Sequence, residues 1–175
     1  MTTKSRRKNS RLQGFDYAQE GAYFVTICTH NRICLLGEVI EKEMRLNAWG
    51  RVIQSVWLQT AKLRSYLSLD SYVIMPNHLH TVFFLQNHEW ATQRVAPTME
   101  TSPGGPAPCS VGAIIGQFKS QATKRIKSSG RIPIEHLWQR NYYEHVVRDE
   151  DDLNRIRQYI EDNPANWLED EYYSP

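Results

Sequence analysis

The stretch VIMPNHLHTVFF, Val73 to Phe84, decides how this chain is read. Apolar residues run to Met75, Pro76 and Asn77 interrupt them, and a second apolar run follows from His78. Proline brings no backbone donor to a sheet and asparagine suits turns, so the stretch predicts two strands joined by a tight connection. Side chains alternate across a strand, which puts His78 and His80 on one face and Leu79 on the other. Two imidazoles so placed can share a metal ion, and the connection before them puts the pair at the rim of the sheet. An H-x-H pattern alone equally describes two sheet histidines hydrogen-bonded to their neighbours.

Working outward, AYFVTICT (Ala22–Thr29) is a buried strand by its β-branched and aromatic content. ICLLGEVIEKEMRL follows as a short strand or hairpin. Asn47 caps a helix ending near Tyr66, with Trp49, Ile53, Val56, Trp57 and Leu63 as its apolar stripe. Residues 87–110 hold Pro97, Pro103, Pro106 and Pro108 with Gly104 and Gly105, and read as a mobile loop inserted into the domain. Ser110 caps a second helix with Val111, Ile114, Ile115, Phe118, Ala122 and Ile126 on one side. HLWQRNYYEHVVR is a strand region with Tyr143, His145 and Val147 on one face, and a last helix runs from Asp149 to Asn163, where Pro164 stops it. This order predicts an α+β fold: a ferredoxin-like antiparallel sheet with helices packed on one face. The organisation is a basic arm over 1–14, one domain over 15–167 and a polar tail over 168–175, in which Tyr172 and Tyr173 read as surface residues.

The chain has 175 residues, 41% of them hydrophobic, enough for one packed domain. No apolar run approaches the roughly 20 residues needed to span a bilayer. The basic start has no apolar segment behind it, and Cys28, Cys34 and Cys109 show no C-x-x-C spacing, which points to a cytoplasmic protein without a disulfide framework or cysteine zinc site. The net charge of +2 hides two basic regions. One is the arm, with Arg6, Arg7, Lys8 and Arg11. The other spans 111–148 and includes Lys119, Lys124, Arg125, Lys127 and Arg140. Separated basic patches on a near-neutral chain suit a polyanion, and these residues are candidates for DNA phosphates, contacts that position without specifying sequence.

In the last helix, Leu153, Ile156 and Ile160 mark the buried stripe. Tyr159 and Asn163, four residues apart, emerge together on its border. The amide oxygen is a candidate third metal ligand, and the phenol stands beside it. A packing tyrosine and a helix-ending asparagine are the plain alternatives.

MPNHLH, followed about sixty residues on by WQRNYYEHVVRDEDDLNRIRQYIEDNP, closely resembles the REP-associated tyrosine transposases. These belong to the single-tyrosine HUH (His-hydrophobic-His) transposase superfamily. The resemblance runs from GAYFVTICTHNRICLLGEV to NPANW and takes in VGAIIGQFKSQATKRI. It implies an HUH-endonuclease fold with a C-terminal helix bearing the tyrosine. It also implies an enzyme that cleaves and rejoins single-stranded DNA beside hairpin (REP-like) elements through a 5′-phosphotyrosine. Carried over, His78 and His80 are the HUH pair, Tyr159 is the nucleophile, and Asn163 is the third metal ligand where many relatives have glutamine. The implied cofactor is Mg²⁺ or Mn²⁺, and the implied partner is single-stranded or hairpin DNA. Relatives include dimers that exchange the tyrosine helix, so a homodimer stands beside a monomer. Tyr142 and Tyr143 are the competing tyrosines, and His145 reads as a hydrogen-bonded sheet histidine. Two other functions compete: a non-catalytic single-strand or hairpin binder, and a phosphoesterase using metal-bound hydroxide, which would not need Tyr159.

Overall fold

A computed structural model describes residues 16–86, 106–128 and 135–173. Arg6, Arg7, Lys8 and Arg11, and residues 87–105 of the inserted segment, lie outside the described residues. The elements are β1 (Gly21–Cys28), β2 (Gly37–Ile40), β3 (Glu43–Leu46), α1 (Ala48–Lys62), β4 (Leu67–Ile74), β5 (His78–Leu85), α2 (Val111–Ser128), β6 (Tyr143–Val147) and α3 (Glu150–Asp162). Short 3-10 turns lie at His30–Arg32 and Trp167–Glu169.

The main sheet has the order β4-β5-β1-β6, every pair antiparallel. Removing the β2–β3 hairpin leaves the β-α-β-β-α-β order of the ferredoxin-like fold. That hairpin forms a two-stranded sheet of its own. Its two-residue loop, Glu41–Lys42, has both φ angles positive, 52° and 66°, the geometry that lets a tight hairpin follow the strand twist.

The register decides what each face carries. Thr26 lies opposite His80, Cys28 opposite His78, and Phe24 opposite both Val82 and His145. The other face carries Tyr23, Val25, Ile27, Leu79, Phe83 and Leu85, which form the larger core with α1 and α2. Trp57 sits at its centre, edge-on to Phe83 and Phe118 with ring centroids 6.0 and 5.0 Å away. Trp138 also packs into this core.

Helices cover both faces, a correction to the one-face expectation. Helix α3 lies on the histidine face, where Leu153 and Ile160 pack on Phe24 and Val82, with Ile156, Val73, Phe84 and Val147 around them. The physical reason lies in β1 and β5, which are apolar on both sides of the pleat. Arg157 ties α3 to β4 through a two-pronged bond to Asp70, at 2.8 and 2.6 Å. The caps follow the sequence: Asn47 accepts from the Trp49 and Gly50 amides, and Asp149 from Asp152. Helix α1 stops at Lys62, before Tyr66, and Leu63 is exposed rather than part of the stripe. Helix α3 ends at Asp162, but Asn163 keeps helical angles (φ −57°, ψ −42°) despite Pro164.

Candidate active site

The loop Met75–Asn77 makes the hairpin between β4 and β5 and orients the first histidine. Met75 N donates to His78 O at 2.8 Å, closing the turn. The Asn77 side chain then works from both ends. Its Oδ1 is 2.8 Å from His78 Nδ1, and its Nδ2 donates to the Arg32 and Tyr172 carbonyls at 3.0 and 2.8 Å. An amide oxygen only accepts, so Nδ1 of His78 carries the proton and Nε2 keeps its lone pair. His80 is held in a similar way: its Nδ1 lies 2.8 Å from Thr26 Oγ1, which leaves Nε2 to face inward. The rings are 4.3 Å apart.

Both histidines are fully buried, not at an open rim. Burial, as the leading cause, pushes the His78 pKa down to about 4 and that of His80 well below its usual value. Neutral imidazoles are the form that binds a metal ion.

Helix α3 brings Tyr159 and Asn163 to the same point. The Tyr159 hydroxyl lies 3.2 Å from His80 Nε2 and 3.4 Å from Asp170 Oδ2. Burial first, then the Asp170 and Glu171 charges, raises the Tyr159 pKa. The phenol therefore keeps its proton at neutral pH and can donate it to the Asp170 carboxylate. Asn163 is buried, and its Nδ2 donates to Asp170 Oδ2 at 2.6 Å. Tyr142 and Tyr143 are placed differently. Tyr142 packs against the α1–α2 core, its ring 5.6 Å from the Lys119 ammonium, and Tyr143 sits on the site face with its ring edge-on to Phe24. His145 is the bonded sheet histidine expected, with Nε2 2.8 Å from Asp152 Oδ2.

The chain beyond Pro164 returns to the site, which sequence reading missed. Trp167 is buried with its ring 5.9 Å from His78. Tyr172, expected at the surface, has its ring 4.9 Å from His78 and 5.5 Å from His80, under the Arg32 guanidinium at 5.0 Å. Asp170 joins the ligand cluster: its carboxylate and the two imidazoles present donor atoms all within 4.8 Å of one another.

Two buried atoms test whether an ion fits. His78 Nε2 and Asn163 Oδ1 meet no hydrogen-bond partner among the described residues. Buried polar atoms are normally satisfied, so a pair of orphaned acceptors beside the ring of a second histidine, His80, and a carboxylate suits a cation. His78, His80, Asn163 and Asp170 can thus hold a metal ion.

Basic residues lie apart from this centre and lead toward it. Lys119, Lys124, Lys127, Trp138 and Arg140 line a groove of about 540 Å³ beside α2. Arg140 also lines a second groove of about 460 Å³, with His30 and Arg32, and Arg32 is the residue stacked on Tyr172. Lys119 is committed to the fold: its ammonium donates to the Gln139 and Asn141 carbonyls at 2.9 and 3.1 Å, and burial pushes its pKa down to about 8. Arg125 turns the other way, donating to Gln59 of α1. The cleft of about 730 Å³ on the outer side of Tyr159 is acidic, lined by Asp162, Glu169, Asp170 and Glu171 against Arg155.

No described helix is long and apolar enough to cross a membrane. No family model matches the chain. Its fold matches a solved REP-associated tyrosine transposase bound to a REP hairpin, with TM-score 0.60 and 18% identity, covering 90% of this chain and 74% of that one. In sequence it is 33% identical over 180 residues to an uncharacterized protein of Haemophilus influenzae, with 99% of each chain covered. Identity at that level over whole chains shows common descent, and the chain belongs to one family with this Haemophilus influenzae protein.

Proposed function

We propose that this protein is a metal-dependent tyrosine transposase that cleaves and rejoins single-stranded DNA beside hairpin elements. The observation that carries the reading is the meeting, on one buried spot, of a helix-borne phenol with His80 Nε2 and the orphaned His78 Nε2 and Asn163 Oδ1. A phosphoesterase would have no use for the phenol there, and a binding module would have no use for the orphaned ligands. The fold shared with a transposase bound to a REP hairpin supports hairpin DNA as the partner.

His78, His80 and Asn163 would hold the ion, with Asp170 beside them. Two imidazoles with one amide oxygen are compatible with Mn²⁺, and Mg²⁺ is the alternative. When bound, the ion would polarise a non-bridging phosphate oxygen. Asn77 accepts from His78 Nδ1 and leaves the Nε2 lone pair facing the site, while Thr26 bonds His80 Nδ1 and turns its Nε2 to the same spot. The Tyr159 oxygen forms a bond to phosphorus as the bond from phosphorus to the 3′ oxygen breaks. The phenol loses its proton, the departing 3′ oxygen gains one, and the 5′ phosphate stays on Tyr159. The phosphodiester energy is kept, so a second 3′-OH can reverse the linkage without ATP. The groove through Lys124, Lys127 and Arg140 supplies phosphate contacts that lead to Arg32 and the site.

The test is incubation with labelled single-stranded hairpin DNA and Mn²⁺ or Mg²⁺, followed by denaturation. A covalent protein–DNA adduct is expected, and Tyr159→Phe should remove it. Cleavage that survives Tyr159→Phe would mean hydroxide attack. Hairpin binding with no cleavage over a range of substrates would mean a non-catalytic binder.

A further inference from the structure

We propose that Asp170 is a positioning residue for the metal site, fixing which end of the Asn163 amide faces the ion. The inference rests on the metal reading above. An asparagine side chain has nearly the same shape either way round, but only its oxygen can ligate a cation. Asn163 is buried between Asp170 on one side and the histidine pair on the other. Its Nδ2 is 2.6 Å from Asp170 Oδ2, and the Asp170 carboxylate clusters with the two imidazoles, their donor atoms all within 4.8 Å of one another.

A carboxylate offers acceptors only, so it selects the NH₂ end. Flipped, the amide would set its oxygen against the carboxylate and turn its N–H donors to the space the His78 Nε2 lone pair faces. The orphaned Oδ1 beside the orphaned His78 Nε2 is what this selection produces. Asp170 is itself fixed, because its Oδ1 accepts from the Tyr172 amide at 2.6 Å and Asn77 holds the Tyr172 carbonyl at 2.8 Å. The residue that orients the amide is thus anchored to the loop that orients His78.

The experiment is calorimetric titration of MnCl₂ into the full chain as wild type, Asp170→Asn, Asn163→Ala, the double variant and His78→Ala. Asn at 170 keeps the shape and can still accept from the Tyr172 amide, but it no longer selects one end of its neighbour. We expect Mn²⁺ to bind about ten-fold more weakly in Asp170→Asn, the usual size of effect for a residue that orients a ligand. The metal-free melting midpoint should be unchanged, and Asp170→Ser serves if the Asn variant does not fold. In the Asn163→Ala background the 170 substitution should cost nothing further. Wild-type affinity in Asp170→Asn overturns the proposal. So does a further loss of similar size in the double variant, because a direct ligand acts independently of Asn163. If His78→Ala binds Mn²⁺ as tightly as wild type, the ion does not sit at the histidines, and the metal reading falls together with the proposal.

Discussion

Acidifying the metal-free protein should destabilise it in a window set by the buried histidines. Unfolded, the His78 imidazole takes its proton near 6.5; folded, burial holds it to about 4. Between those values the unfolded chain binds more protons than the native one, so stability is full above pH 6.5 and falls as pH drops toward 4. At about pH 5 the linkage for His78 alone comes to about 2 kcal/mol. For a chain of this size that is a drop of roughly 4–8 °C in melting midpoint. His80 shifts the same way and steepens the slope. Added Mn²⁺ should steepen it again, because an ion that binds neutral imidazoles stabilises only where they are neutral. The assay is a set of melting curves by circular dichroism from about pH 7.5 to 4.5, on wild type and His78→Gln. The comparison is of slopes, so a constant offset in the variant is immaterial. A flat wild-type profile over this window, or an equal slope in His78→Gln, would refute the argument that burial holds these rings neutral.

Thr26→Val removes the hydroxyl at His80 Nδ1 but keeps the shape, and should weaken Mn²⁺ binding by about ten-fold in the same titration. Phe83→Ala empties the sheet side of the larger core and should cost about 3–5 kcal/mol, read as a lower urea midpoint with unchanged slope. Replacing Lys124, Lys127 and Arg140 one at a time by alanine should each reduce the salt dependence of hairpin affinity by about one ion.

What the sequence made legible is what local spacing controls. The break at Met75–Asn77 set a hairpin, and strand alternation put His78 and His80 on one face. Four-residue spacing put Tyr159 and Asn163 together on α3. The covering of both sheet faces was also written in the sequence, in β1 and β5. Phe24, Val82 and Phe84 share the histidine face and could not be left in water, so a third helix had to cover them. A sheet covered on one face alternates apolar and polar residues, and β1 and β5 lack that alternation.

The rest of the site is set by contacts distant in sequence, and local pattern is silent about those. LEDEYY reads as a polar tail because its neighbours are polar, yet Asp170 and Tyr172 lie against the histidines. The one signal was Trp167. A large aromatic three residues past Pro164 needs a surface to cover it, which means the chain goes on packing after the helix ends. Asn77 shows a different limit. As a turn residue it needs only a tolerant backbone, and the sequence supports no more. In the fold its oxygen fixes the His78 proton on Nδ1, and its NH₂ group holds the 3-10 turn at Arg32 and the tail at Tyr172. One amide therefore sets the ligand's tautomer and moors the segment that carries Asp170. Asn77→Asp, which lacks the N–H donors, should release the tail and leave the His78 bond in place, so the two roles can be measured separately.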